Sequence, residues 1–66
     1  MELITGKYII RYFKGALHKT YKYNLEEHSQ SVRTIRQVTD ILSIDETHVI
    51  CAEEGGIVEV FDMENF

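Results

Sequence analysis

The 66-residue chain has no proline, no tryptophan, a single cysteine, and no lysine or arginine in its last thirty positions. One cysteine excludes an internal disulfide, and such a chain suits a reducing compartment. No apolar run approaches the ~20 residues that a membrane-spanning helix needs. The first residues do not follow the pattern of a secretory signal, because charged residues interrupt their apolar stretch. We therefore expect a cytoplasmic protein that does not engage a membrane.

The size of the chain limits its stability. Sixty-six residues suffice for one small domain, and we expect residues 1–66 to form it. A chain of this length buries only about 60% of the surface that its unfolded form exposes. Small domains without disulfides or metals often gain support from a second subunit. These limits predict a homodimer.

Charge is divided unevenly between the two halves of the chain. Residues 1–36 hold all seven bases and three acids, whereas residues 37–66 hold eight acids and no base. The net charge is −4 at pH 7. An ordinary surface mixes both signs, so the division needs an explanation unless folding brings the two halves together.

The segment KYIIRYFKGALHKTYKYN predicts a β-hairpin. It is rich in tyrosine, isoleucine and other strand-forming residues, and Lys14-Gly15 can supply the turn, since glycine tolerates a positive φ. Such a turn pairs Phe13 with Ala16. Alternation then places a tyrosine-rich face toward the core, with Lys19 among its residues, and an amphipathic, basic face on the other side.

The segment HVICAEEGGIVEVF predicts a second hairpin with Glu54-Gly55 or Gly55-Gly56 at its tip. Either two-residue turn groups one set of side chains on the first face: Val49, Cys51, Val58 and Val60. The opposite face then holds the remaining set: Ile50, Ala52, Ile57, Glu59 and Phe61. Because both faces are partly apolar, we expect this hairpin to be central in a sheet or covered on both sides.

The middle of the chain fits two structures. Residues 31–44 are rich in β-branched side chains, which favours a strand from about Val32 to Ile44 with at most a helical turn near Leu25 to Ser29. Leu25, Val32, Ile35 and Leu42 also fall at helical spacing. The preferred fold is mainly β, a five-stranded antiparallel sheet similar in rhythm to a small SH3-like barrel. The alternative is an α+β fold, ββαββ, with a helix at about 29–42.

No residue pattern names a reaction. Cys51 and His48 are three apart on a predicted strand, so their side chains point to opposite faces. We expect Cys51 to be a small buried residue. The three histidines are scattered, and the Gly55-Gly56 pair lacks the lysine and the following helix of a phosphate loop. A chain this small also has little room for a water-excluding pocket. We expect no enzymatic activity, no metal and no cofactor.

The acidic half supplies the candidate partner-binding residues. They are Asp40, Asp45, Glu46, Glu53, Glu54, Glu59, Asp62 and Glu64. Alternate residues of a strand lie roughly 6.6 Å apart, which is within a factor of two of the spacing of DNA phosphates. In size, acidity and lack of disulfides and catalytic motifs, the chain resembles the small acidic inhibitors that phages make against host proteins, DNA mimics among them. The resemblance implies a basic, nucleic-acid-binding partner protein.

Two other functions use the same charge division differently. The first is direct binding of nucleic acid by the basic half, through Lys7, Arg11, Lys14, Lys22, Arg33 and Arg36, with Phe13 or a tyrosine stacking on a base. The net negative charge disfavours it. The second is a structural homodimer in which the basic half of one copy meets the acidic half of another.

Overall fold

The protein is described by a computed structural model that places residues 2–66 in seven antiparallel strands forming two sheets. The first sheet has the order β1 (Glu2–Thr5), β2 (Tyr8–Phe13), β3 (Ala16–Tyr23) and β4 (Glu26–Arg33). The second has the order β5 (Val38–Ser43), β6 (His48–Glu53) and β7 (Ile57–Asp62). Each sheet is a meander, because every strand pairs with its neighbour in sequence. Residues 2–66 contain no helix capable of crossing a membrane.

The two sheets share one core. Its buried apolar residues come from both sheets and from the segment after β7: Tyr8, Ile10, Leu17, Val38, Ile41, Val49, Cys51 and Met63. The sheets meet where β5 lies beside β1 and β2. Thr5 Oγ1 donates a hydrogen bond of 2.5 Å to the carbonyl of Asp45 across this junction. Each sheet therefore has an inner face on the core and an outer face that points away from it.

The first predicted hairpin is confirmed in its turn and register. Phe13 pairs with Ala16 and Arg11 with His18. The residue with the positive φ is Lys14, at 55°, and not Gly15. Of the predicted inner face, Tyr8, Ile10, Leu17 and Lys19 are buried in the core, whereas Tyr23 at its far end is 60% exposed.

The middle of the chain corrects the predicted fold. A mainly β structure is confirmed, but the helical alternative at 29–42 is wrong, and so is a single strand from Val32 to Ile44. Residues 26–33 and 38–43 form two strands in different sheets, separated by a connection at 34–37. With β1 as a further strand there are seven strands, not five, and the two sheets do not close into an SH3-like barrel.

The physical reason lies in the β3–β4 turn. Asn24 and Leu25 both take positive φ, at 54° and 65°, which reverses the chain in two residues where the sequence predicted a helical turn. β4 can then pair along the whole of β3, from Tyr23 with Glu26 to Ala16 with Arg33. Most of β4 is exposed, so its sequence carries little of the apolar alternation by which a strand is recognised.

The second hairpin has a longer loop than predicted. Glu54, Gly55 and Gly56 form a three-residue loop, in which both glycines have positive φ (80° and 76°), and Glu53 pairs with Ile57. One extra loop residue moves every side chain of β7 to the other face. The predicted grouping of Val58 and Val60 with the core residues of β6 is therefore wrong.

The strained leucine at the β3–β4 turn yields a stability prediction. Leu25 is 98% exposed, so its side chain contributes no packing that offsets the cost of a left-handed conformation. Two-residue hairpin loops with two positive φ values favour Asn-Gly. We expect Leu25→Gly to raise the free energy of unfolding by about 1 kcal/mol, as measured by urea denaturation.

Leu25→Ala is the matched control for this prediction. Alanine also removes the exposed side chain but keeps the Cβ atom, so it retains the backbone strain. It should leave stability within roughly 0.5 kcal/mol of the wild type. Equal stabilisation by alanine and glycine would show that the exposed side chain, and not the backbone, is the source of the effect.

Candidate functional site

The outer face of the second sheet is the most conspicuous surface of the molecule. The register pairs Leu42 with Ile50 and Ile50 with Val60, so these three side chains form a row across the sheet. Ala52 and Val58 form the next row. Val58 and Val60 are 64% and 59% exposed. Among residues 2–66 nothing covers this apolar centre; the sequence predicted a hairpin that is central in a sheet or covered on both sides, and only β6 is central.

Carboxylates surround that apolar centre. We call the whole surface the acidic face and define it by the apolar residues Leu42, Ile50, Ala52, Val58 and Val60 together with the acids Asp40, Asp45, Glu46, Glu54, Asp62 and Glu64. Asp40 and Asp62 lie on outward positions of β5 and β7, and the other acids lie on the turns and the segment that flank the strands. Six of the eight predicted partner-binding acids thus belong to the outward positions, turns and flanking segment of this sheet, and two of them, Glu46 and Glu64, also line a depression together with Lys7 of the first sheet.

Two of these acids also hold turns. Asp45 Oδ1 accepts hydrogen bonds from the Thr47 and His48 N–H groups, both at 2.8 Å. These bonds and one with the His48 side chain lower the pKa of Asp45 to about 2, and the Thr47 N–H has the largest effect. Asp62 accepts a bond of 2.9 Å from the Glu64 N–H, which lowers the pKa of Asp62.

His48 lies between these two carboxylates. Its Nδ1 is 3.0 Å from Asp45 Oδ1, and its Nε2 is 3.9 Å from Asp62 Oδ2. The hydrogen bond with Asp45 raises the pKa of His48. This end of the acidic face therefore gathers several acids around one histidine, and the negative charge there is partly offset as the pH falls.

Glu53 and Glu59 do not belong to the acidic face, because they point inward. Glu53 is 4% exposed, and its Oε1 accepts a hydrogen bond of 2.7 Å from the Arg36 N–H. Glu59 Oε1 accepts one of 2.9 Å from the Ile35 N–H. The two carboxyl groups thus hold the connection between the sheets in place. The sequence does not reveal this role, because the N–H donors of Glu53 and Glu59 come from a connection that only the folded chain places over β6 and β7.

The inward pair sits beside Cys51 in a poorly solvated place. Burial, then the charges of Glu53 and Glu59, raise the pKa of the Cys51 thiol to about 12. The Ile35 N–H favours the Glu59 carboxylate, but burial and the adjacent Glu53 outweigh it, so the pKa of Glu59 is raised. Glu53 Oε2 is buried and has no hydrogen-bond partner among residues 2–66. The predicted burial of Cys51 is confirmed.

Glu59→Gln should stabilise the protein at neutral pH by about 1 kcal/mol, because glutamine keeps an acceptor for the Ile35 N–H and offers Glu53 an N–H donor. The pKa of Glu59 is higher in the folded state, so the folded chain binds more protons and stability falls as the pH rises through that pKa. The variant should lose this dependence. Denaturation at several pH values tests it, and Glu59→Leu, which lacks the acceptor, should destabilise.

The outer face of the first sheet has the opposite character. We call it the basic face and define it by the apolar residues Ile4, Ile9 and Phe13 together with the bases Lys7, Arg11, Lys14, Lys22 and Arg33. Ile4 and Phe13 are 69% and 67% exposed. A shallow depression of about 370 Å³ lies here, and its lining includes Lys7, Arg11 and Lys22. Acids of the same sheet reduce the charge: Arg11 donates a hydrogen bond to Glu2, and Glu27 lies opposite Lys22 in the strand register.

Lys19 is a buried base that belongs to neither face. Its Nζ donates a hydrogen bond to the Met63 carbonyl and lies 4.4 Å from the centre of the Phe66 ring. The rings of Tyr8 and Tyr21 are 5.5 and 5.6 Å from the same atom. Aromatic faces attract an ammonium, so this lysine fastens the segment after β7 to the first sheet. Burial lowers the pKa of Lys19.

Direct ion pairs between the basic and acidic halves of the chain are absent from residues 2–66. Among residues 2–66, Arg11 is the one lysine or arginine that forms a salt bridge, and its partner is Glu2 of the same sheet. No lysine or arginine of the described chain bridges to any of the eight acids of residues 37–66. The charge division seen in the sequence therefore remains as two faces of opposite character, which approach each other at one end, where Glu46 and Glu64 line a depression with Lys7.

The reactive side chains stay apart. His48 lies on the outer face of the second sheet, while Cys51 is in the core. His18 contacts Ser31 on the first sheet, and His28 stacks on Tyr21 with ring centres 5.4 Å apart. No group of three or more histidine, cysteine or acidic side chains in residues 2–66 is arranged to hold a metal.

No family model, curated protein sequence or solved structure matches this chain.

Proposed function

We propose that this is a non-enzymatic binding protein whose acidic face docks on a basic, nucleic-acid-binding protein and blocks it by nucleic-acid mimicry. The observation that carries the proposal is the exposed apolar centre of Leu42, Val58 and Val60 inside a border of carboxylates that no lysine or arginine of the described chain neutralises. An apolar centre with a polar border is the usual anatomy of a protein–protein interface.

Mimicry follows from what the carboxylates can replace. Lysine and arginine side chains that bind phosphates also bind carboxylates through charge-assisted hydrogen bonds. Exposed carboxylates around the acidic face, such as Glu46, Glu54 and Glu64, can occupy several such sites at once. The partner is then unable to hold nucleic acid at those sites. This is the mode of action of the phage-encoded inhibitors that the chain resembles in size and charge.

Competition tests the proposal directly. The immobilised protein should retain a basic protein from a bacterial lysate at low salt and release it at high salt, since exposed charges are screened over about 10 Å at 0.1 M salt. Duplex DNA added at low salt should release the same protein. If DNA does not displace the retained partner, the protein binds that partner but does not mimic nucleic acid. If no basic protein is retained at all, the proposed function is wrong.

Direct binding of nucleic acid is the second candidate function, favoured by one observation. The depression on the basic face is lined by Lys7, Arg11 and Lys22, and the exposed Phe13 lies at the end of the same face. Against it, Arg11 is engaged by Glu2 at 2.6 Å. Nucleic acid eluting from the immobilised protein, without a protein partner, would favour this function over the first.

A further inference from the structure

The acidic face defines what can cover it. Its centre is aliphatic, so a partner must offer apolar side chains. Its border is acidic, so the partner must offer bases around them. Two acidic faces cannot satisfy both conditions, because a two-fold contact would bring the borders, Asp40 and Asp62 included, against like charges. The homodimer predicted from the sequence would therefore not form through this face in a symmetric way.

The basic face of the same molecule meets these conditions. Ile4 and Phe13 are its exposed apolar side chains, and its bases include Arg11, Lys22 and Arg33. Lys14 Nζ lies 5.4 Å from the centre of the Phe13 ring, so a base stands directly beside the most exposed aromatic group of the face. Both faces are outer faces of twisted antiparallel sheets, and such faces pack on one another about 10 Å apart.

We propose that the protein associates with itself head to tail, with the acidic face of one copy packed on the basic face of the next. The inference rests on the complementarity of the two faces: among residues 2–66 no lysine or arginine of the basic face forms a salt bridge with an acid of the acidic face, and each face supplies the charge that the other lacks. The occupant is a second copy of this chain. The proposal stands whether or not an external basic partner is found.

The geometry sets the form of the assembly. The two faces point away from the shared core, so a copy bound through one face leaves its other face free. Such a heterologous contact does not stop at two copies unless the rotation between copies closes a ring. Self-association also covers the acidic face, so a basic partner or added salt competes with it. In the self-associated form the acidic face is covered, so the proposed binding protein is inactive in that form.

Two single variants separate this arrangement from every symmetric one. Val60→Lys places a base in the centre of the acidic face, and Phe13→Glu places an acid in the centre of the basic face. Both positions are exposed, so the fold should tolerate the changes, which circular dichroism and denaturation verify. Leu25→Ser, at an exposed position outside both faces, is the matched control. Val58→Lys and Ile4→Glu form a second pair if either first variant fails to fold.

Sedimentation over a concentration series at low salt gives the readout. We expect the wild type and Leu25→Ser to grow in mass with concentration, and each face variant alone to stay monomeric. An equimolar mixture of Val60→Lys and Phe13→Glu should form a complex that stops at two chains, because each variant keeps one intact face. High salt should dissociate all of these complexes.

Other outcomes overturn the proposal. A wild-type protein that stays monomeric at every concentration would show that the proposed self-association does not occur. Assembly that survives Phe13→Glu but not Val60→Lys shows a contact between two acidic faces, and the reverse shows one between two basic faces. A mixture of the two variants that forms no complex also removes it. Binding of an external basic partner gives a separate readout, because Phe13→Glu leaves the acidic face intact.

Discussion

Glu53→Ala is expected to lower the free energy of unfolding by about 2–3 kcal/mol, although Glu53 is one of the acids that the sequence assigned to a partner surface. The carboxylate accepts the Arg36 N–H at 2.7 Å in a nearly water-free position. Alanine removes that acceptor, leaves the N–H without its partner and opens a small cavity. A domain of this size has only about 3–10 kcal/mol of stability in total.

Thermal unfolding measures this loss, and the neighbouring acid is its control. The midpoint should fall by roughly 10–20 °C, because small domains lose about 4–8 °C for each kcal/mol. Glu54→Ala changes an exposed side chain in the adjacent loop and should move stability by less than about 0.5 kcal/mol. Equal stability of the two variants would show that Glu53 is not holding the connection at 34–37.

Reversing the charge of three acids on the acidic face should weaken partner binding by about 10–100-fold at low salt. The set is Glu46, Glu54 and Glu64, each changed to lysine. All three are exposed, and their carboxylates hold no turn, unlike those of Asp45 and Asp62. The loss should fall mainly on the association rate, because exposed charges act by steering the encounter. Surface plasmon resonance with the captured partner separates the two rates.

The matched control reverses three bases on the basic face. Lys7, Lys14 and Lys22 are each changed to glutamate, which alters net charge by the same amount in the opposite direction. Partner binding should be unchanged, or slightly tighter because self-association is lost. If the base reversals abolish binding while the acid reversals do not, the basic face is the functional one and nucleic-acid binding replaces the proposed function.

Local chemistry made part of the fold predictable. A two-residue turn between strand-forming segments fixes register by itself, which is why the pairing of Phe13 with Ala16 is correct. The burial of Cys51 follows from alternation along β6. The division of charge was visible as counts, and the fold converts it into two faces because each half of the chain forms its own sheet.

The main failure at the second hairpin comes from the sensitivity of strand faces to single residues. The Glu54–Gly56 loop is one residue longer than predicted, and this turns Glu59 inward and Val58 outward. β4 was missed because its side chains mostly face water on both sides. No local pattern reports that Glu53 receives a backbone donor from Arg36, seventeen residues earlier in the chain.

The arrangement of the strands as two consecutive meanders has a consequence for how fast the protein folds. Every strand pairs with its sequence neighbour, so each sheet can form from contacts that are local along the chain. The contacts between distant residues join the two sheets and their connection: β5 lies on β1 and β2, Lys19 fastens Met63, and Glu53 and Glu59 hold residues 35–36. All-β proteins usually fold slowly because their pairings span long loops. This chain should fold toward the fast end of that class, with the docking of two preformed sheets as its slow step.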